Sequence, residues 1–182
     1  MFKVDLDTYK DYFCEESNQA IITHLIKEQD FDNLQIFAEW KHTKAKYLDD
    51  ISKFIIQLIK SGVISSKFIK VLMAVGENPK ARTKTLKEIC EFACENTFDG
   101  DADILESVSK NKHINGYIAN RIYDTLNKCD TVELMRNGKT PDDLLIKAIN
   151  DQKINANVRA IAGTQLAKRY EKLKKESKSQ KE

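Results

Sequence analysis

Helix-breaking residues are scarce in this chain, which has six glycines and two prolines among its 182 residues. Glycine and proline are the residues that most tight turns require, so a chain with so few of them cannot supply the turns of a sheet-rich fold. Nearly every segment instead places apolar residues three and four apart, which is the spacing of one face of an α-helix. No two segments read as a pair of strands. The sequence therefore predicts an all-α fold.

Starts and stops that are typical of helices divide the chain. The segment Thr140–Asp143 is the clearest start, because it offers a capping hydroxyl, a proline in the first turn and two carboxylates near the positive end of the helix dipole. Gly62 and Gly76 are typical C-terminal stops. We expect one all-α domain over residues 1–175, followed by a disordered polar tail at 176–182.

A pattern of twelve residues occurs twice in the sequence. Residues 78–89 and 155–166 both begin with asparagine, have arginine at the fifth position, and end with isoleucine or leucine. Residues 115–126 keep the apolar positions but have Ala119 in place of the arginine. The three starts are 37 and 40 residues apart, and a period of this length is typical of stacked helical hairpins.

This pattern resembles the HEAT repeat family, in which the second helix of a hairpin often begins with Asp or Asn, then Val-Arg, a small residue and a leucine. The resemblance implies an α-solenoid, and members of the family mostly scaffold protein partners along a concave face. It predicts a right-handed stack of about four hairpins behind an N-terminal helical cap. The cap and the four hairpins are expected at 1–30, 31–60, 66–96, 102–129 and 141–175.

The two arginines of the pattern are expected to be structural. On a helical wheel, Arg82 and Arg159 both fall within the apolar arcs of their helices. An arginine that points toward a core needs a carboxylate or carbonyl partner. We therefore expect each of them to bond to a neighbouring hairpin.

The charged residues are unevenly distributed along the chain. The formal net charge of +2 is too small to indicate a nucleic-acid-binding protein by itself. Residues 41–90, however, hold 11 basic and 4 acidic side chains. If hairpins 31–60 and 66–96 stack, cations of the basic region 41–87 could follow a phosphate backbone; a solvated lysine-rich surface is the other interpretation. The candidate contacts are Lys41, Lys44, Lys46, Lys80, Lys84 and Lys87.

The sequence contains no motif that indicates catalysis or cofactor binding. HExxH zinc sequences and phosphate-binding glycine loops are both missing. Cys90 and Cys94 could bind a metal with His113 or Cys129, but a second closely spaced pair is lacking, and small buried side chains are the simpler interpretation. The acidic segment Asp99–Asp103 lacks the glycine and the glutamate of a calcium loop. We expect no catalytic residue, metal or cofactor.

These observations favour a non-enzymatic adaptor or scaffold that binds a protein partner along a helical-repeat surface. The alternative is a nucleic-acid-binding protein that contacts the phosphate backbone through region 41–87. The N-terminus does not have the pattern of a secretory signal, and the apolar runs are too short to cross a bilayer. We therefore expect a cytoplasmic protein with reduced cysteines and no membrane contact.

Overall fold

The computed structural model describes residues 15–96, 98–126 and 131–179 of the chain. These residues form ten helices and no strand, which confirms the prediction of an all-α fold. The helices are α1 (Glu15–Lys27), α2 (Phe31–Glu39), α3 (Ala45–Lys60), α4 (Ser66–Glu77), α5 (Thr83–Glu95), α6 (Asp101–Ser109), α7 (Gly116–Thr125), α8 (Val132–Arg136), α9 (Asp142–Asn150) and α10 (Ala156–Ser179).

The helices pack in two rows. Helix α4 contacts α2 and α6, and α8 contacts α6 and α10, so the even-numbered helices follow one another in chain order. Helix α5 lies between α3 and α7 in the second row. Apolar side chains such as Leu72, Ile89 and Ile122 are fully buried between the rows. Helix α1 packs against α2 and α3, at the beginning of both rows.

Four short connections of the same geometry each lead from an even-numbered helix to the odd-numbered helix that follows it. We name them turn 1 (Trp40–Thr43), turn 2 (Asn78–Ala81), turn 3 (Asn111–Ile114) and turn 4 (Asn137–Thr140). In each turn the N–H of the fourth residue donates to the carbonyl of the first, and the fourth side chain is buried. Helices α3, α5, α7 and α9 each begin two residues after their turn. All four turns therefore lie at the same end of the helices.

Asparagine side chains bond consecutive turns together. The Nδ2 atoms of Asn78, Asn111 and Asn137 each donate to two carbonyls of the helical pair one step earlier in the chain. One acceptor lies at the C-terminal end of α2, α4 or α6, and the other is the carbonyl of the first residue of the turn that follows that helix. For Asn111 the acceptors are Gly76 O at 2.7 Å and Asn78 O at 2.9 Å. Each asparagine Oδ1 also accepts the N–H two residues further on. This asparagine ladder supplies a donor to one carbonyl at each helix end that would otherwise be unpaired. It also adds a second donor to the first carbonyl of the preceding turn, which already accepts an N–H within that turn.

Arg169 ends the ladder. Its guanidinium donates to Thr140 O at 2.6 Å and Gly138 O at 3.0 Å, and it pairs with Asp142. Helix α10 therefore runs back along α9 as far as turn 4. The side chains of residues 170–177 are all exposed, so the rest of α10 projects past the turns.

Gly76 allows α4 and α6 to approach closely. A Cβ atom at this position would lie 2.5 Å from Ser107 Oγ and 3.3 Å from Val108 N. Both Gly76 and Ser107 are buried, so the contact has no room for a larger residue. The glycine is not the expected helix stop, because α4 continues through Glu77.

The expectation that Arg82 points into the core is wrong. Arg82 is exposed and directly precedes α5, so the helical wheel that placed it in the apolar arc does not apply to it. Arg159 is half-buried inside α10, and its guanidinium lies 3.4 Å from the Gln152 side chain. The two arginines are therefore at different points of the fold, and Asn78 and Asn155 are not equivalent either, since the former lies in turn 2.

Two other expectations concern the ends of the helical region, and one helix within it was not expected. Of the expected cap, residues 1–14 lie outside the described part of the chain. The short helix α8 at Val132–Arg136 was not expected from the sequence, and it packs against α6, α7 and α10. Helix α10 continues to Ser179, within the segment for which a disordered tail was expected.

Replacing Asn111 with alanine tests the asparagine ladder. Asn111 is buried, and its loss leaves Gly76 O and the His113 N–H without their partner. It also removes one of the two hydrogen bonds to Asn78 O, so Asn111→Ala should lower the free energy of unfolding by about 3 kcal/mol. Asn120→Ala is the control, because the half-buried Asn120 makes one bond within its own helix. Urea denaturation measures both, and equal losses would contradict a special role for Asn111.

Candidate functional site

Exposed basic side chains occupy equivalent positions in the four turns. The third residues of turns 1 to 4 are His42, Lys80, His113 and Lys139, all of them exposed. The second residue is also a lysine in turns 1 and 3. Together with Arg82, these side chains form a surface that we name the basic edge. Its members are Lys41, His42, Lys80, Arg82, Lys112, His113 and Lys139.

A shallow open groove crosses turns 1 to 3 at the basic edge. Its volume is about 670 Å³, and it holds the cations of three consecutive turns next to one another. The lining residues are Lys41, His42, Ala45, Pro79, Lys80, Ala81, Arg82, Thr83, Lys112 and His113. Residues that are widely separated in the sequence thus share one surface.

Hydrogen bonds between turns 2 and 3 hold the groove in shape. Thr83 Oγ1 donates to His113 O at 2.7 Å, and His113 Nε2 lies 3.2 Å from Pro79 O. In turn 1 the His42 ring packs against Trp40 with 5.5 Å between the ring centroids. With the asparagine ladder beneath them, the backbones that carry the cations are fixed relative to each other.

The cations at the second and third turn positions are not neutralised by nearby acids. Within residues 15–96, 98–126 and 131–179, no carboxylate oxygen lies within 4.0 Å of the amino groups of Lys41, Lys80, Lys112 or Lys139. Each of these side chains is exposed, so its charge is available to a ligand in solution.

Other lysines of region 41–87 are paired. Lys84 and Lys87 lie 4.0 and 3.6 Å from Glu88 and Glu91 of their own helix. Lys53 bonds to Asp49 at 2.7 Å, and this hydrogen bond raises the pKa of the lysine. The structure therefore separates the predicted contact residues into two groups.

Only some of the lysines that the sequence predicted as phosphate contacts belong to the basic edge. Lys41 and Lys80 are members of the basic edge, and Lys44 is exposed directly before α3. Lys46 lies over the Tyr47 ring, 5.3 Å from its centroid. Sequence reasoning missed the histidines and the contributions of turns 3 and 4. A spacing of asparagine, any residue, then lysine or histidine occurs at 78–80, 111–113 and 137–139, and it could have indicated them.

Helix N-termini add positive potential at turns 1 to 3. The N-terminal ends of α3, α5 and α7 directly follow these turns, and such ends attract anions. The cations Lys44 and Arg82 directly precede α3 and α5. Helix α9 differs, because Asp142 and Asp143 occupy its first turn. The basic edge is therefore centred on turns 1 to 3.

Two further grooves carry mixed charge. One lies between α3 and α5, where Lys53 and Lys60 face Glu88, Glu91 and Glu95. The other lies between α2 and α4 and contains Lys70 with Glu39 and Glu77. In both, basic and acidic side chains offset each other, so neither concentrates charge of one sign as the basic edge does.

Cys90 and Cys94 form a close pair of thiols, with 3.9 Å between their sulfur atoms. The hydrogen bond with Cys90 lowers the pKa of Cys94 to about 6 against the opposing effect of burial, and Thr125 and Arg121 add to the decrease. The same bond and burial raise the pKa of Cys90. No group of three metal-ligating side chains converges in the described part of the chain, and Cys129 lies outside it.

Comparison with known protein families, curated proteins and solved structures gives no match to this chain. Among the described residues, no helix is both long and apolar enough to span a membrane.

Thiol alkylation as a function of pH tests the thiol pair. Because Cys94 is half-buried and its pKa is about 6, its alkylation by iodoacetamide should reach half its maximal rate near pH 6, while buried Cys90 stays unmodified at neutral pH. Peptide-resolved mass spectrometry separates the cysteines. Cys90→Ala should move the Cys94 midpoint upward, because alanine removes the thiol that donates to Cys94, and an unchanged midpoint would contradict the pairing.

Proposed function

We propose that this protein binds nucleic acid without catalysing a reaction on it, and that the basic edge contacts the phosphate backbone. One observation carries the proposal: turns 1 to 3 each present exposed basic side chains, and no nearby carboxylate neutralises Lys41, Lys80 or Lys112. Lysine and arginine bind a phosphate backbone by displacing its condensed counterions. A row of cations suits a ligand whose charges also form a row.

The rigidity of the edge supports this function. Binding costs less conformational entropy when the contacting backbone is already ordered. Here the asparagine ladder and the bonds of Thr83 and His113 fix the turns before any ligand arrives. Only the lysine and arginine side chains have to be ordered when a phosphate binds.

We also propose that the helical pairs form a right-handed, HEAT-like stack. The contacts between consecutive even-numbered helices and the equivalent turns support this architecture. In such a stack every added pair extends the surface along one direction. The basic edge is then the end of the stack at which the odd-numbered helices begin.

Charge reversal tests the proposal. The double substitution Lys41→Glu with Lys80→Glu should weaken binding to a labelled nucleic acid by about tenfold or more and reduce the slope of log K against log salt by about 2, because phosphate contacts are lost. The control reverses Lys27 and Lys153, which are exposed and lie beside the start of α2 and the end of α9, away from the basic edge. Fluorescence anisotropy measures both variants.

The control changes the net charge by the same amount as the edge variant. If both variants lose the same affinity, binding depends on net charge alone and the assignment to the basic edge is wrong. Circular dichroism should give the same spectrum for both, because none of the four lysines is paired with a carboxylate of the described residues.

A protein-binding adaptor is the second candidate, and the projecting part of α10 favours it. Tyr170 and Leu173 are 57% and 58% exposed, three residues apart on one face of this helix. Exposed apolar side chains at this spacing are typical of a helix that enters a groove on a protein partner. This element does not include the turn cations, so the two candidates are separable.

Changing Tyr170 and Leu173 together to serine separates the candidates. If α10 binds a protein, this variant should lose a partner that the wild-type chain captures after nuclease treatment, whereas the Lys41 and Lys80 variant should keep it. Both side chains are more than half exposed, so the melting temperature should hardly change. Retention of the same partner by the serine variant would contradict the adaptor function.

A further inference from the structure

We infer that the ligand of the basic edge is a nucleic-acid duplex, held by its phosphates without readout of base sequence. This inference rests on the proposed function and specifies its ligand. Three features of the edge support it: the lack of an aromatic platform among its described residues, the position of the cations on tight turns, and the length over which the cations extend.

The edge offers no aromatic platform for unpaired bases. Proteins that hold single strands generally stack successive bases on exposed aromatic rings. Among the described residues, the phenylalanine, tyrosine and tryptophan side chains that are well exposed are Tyr117 and Tyr170. Tyr170 lies on α10 beyond Arg169, and one ring there cannot stack a row of bases.

Tyr117 is already engaged by its neighbours. Its hydroxyl donates to Glu91 Oε1 at 2.7 Å, and Lys87 Nζ lies 4.9 Å from its ring centroid. The half-buried Trp40 is packed between the rings of Phe37 and His42. A single strand would therefore find cations at the basic edge but little surface for its bases.

The edge also has no element that could enter a groove and read base edges. Sequence readout in the major groove generally uses a helix or a two-stranded ribbon. Here the cations lie on tight turns whose fourth side chains, such as Ala81 and Ile114, are buried. Only the second and third residues reach solvent at the tip of each turn. Such short protrusions reach phosphates, which carry no sequence information directly.

The length of the edge favours a ligand with dense, regular charge. Packed helices lie roughly 8–10 Å apart, so turns 1 to 3 extend over about 20 Å. Over that length a duplex presents about 12 phosphate charges and a stacked single strand about 6. A duplex is also stiff, so it can touch three fixed turns without first losing conformational freedom, which a flexible strand must lose on binding.

Anisotropy titrations with three labelled probes test the inference on the full chain. The probes are two duplexes of about 20 base pairs, or two helical turns, with unrelated sequences, and a thymidine single strand of the same length. Both duplexes should bind with dissociation constants within about twofold of each other and about tenfold or more below that of the single strand. The Lys41→Glu, Lys80→Glu variant should lose affinity for both duplexes equally.

Each other result overturns a defined part of the argument. A dissociation constant for the single strand within tenfold of those of the duplexes, or duplex constants that differ by more than about twofold, overturns the inference and leaves the proposed function in place. Binding of none of the probes at low salt overturns both. Tyr117→Ala provides a further check, because it should weaken binding of the single strand only if that ring stacks on a base, and such a loss would contradict the assignment.

Discussion

A single amide group in each of turns 2 to 4 determines how this fold is assembled. A helix that ends inside a structure leaves carbonyls without a partner, and burying them unpaired is costly. The Asn111 side chain donates to one such carbonyl, Gly76 O, and adds a second donor to Asn78 O, while its oxygen accepts the N–H of His113. Neither a carboxylate nor an aliphatic group has both the donor and the acceptor that this requires. The ladder thereby fixes both the packing of neighbouring pairs and the orientation of the turn that carries each cation.

Features of the fold that depend on short stretches of sequence were predictable, whereas features that depend on contacts between distant residues were not. Apolar spacing and the scarcity of glycine and proline are local features, and they were sufficient for the all-α prediction. The first residue of a helix is harder to locate, because a turn such as Asn78–Ala81 continues the apolar spacing of the helix that follows it. Because of this continuity, a helical wheel that treats residues 78–82 as part of the helix places the exposed Arg82 in the core. The ladder bonds cross 26 to 40 residues of sequence, and no local pattern reports them.

The candidate site was predictable only in part, for a related reason. Counting cations along the chain identified Lys41 and Lys80, but it gave the same weight to Lys84, whose charge is offset by Glu88 one helical turn away. Lys112 lies in a segment with more acidic than basic residues, yet the fold brings it into the same groove as Lys80. Whether a charge is available depends on neighbours in space. The repeated spacing from an asparagine to a basic residue was the one sequence signal that anticipated this arrangement.

The distribution of charge also indicates what size of ligand the edge selects. At physiological ionic strength the screening length is about 8 Å, which is close to the distance between packed helices. Each turn therefore acts mainly on the anion that touches it, and the turns add their contributions only when one ligand touches several of them. A single phosphate would gain the contacts of one turn, whereas a polyanion would gain those of three. Asp142 and Asp143 at the start of α9 lower the positive potential beyond turn 3. The part of the edge that attracts an anionic ligand therefore ends at turn 3.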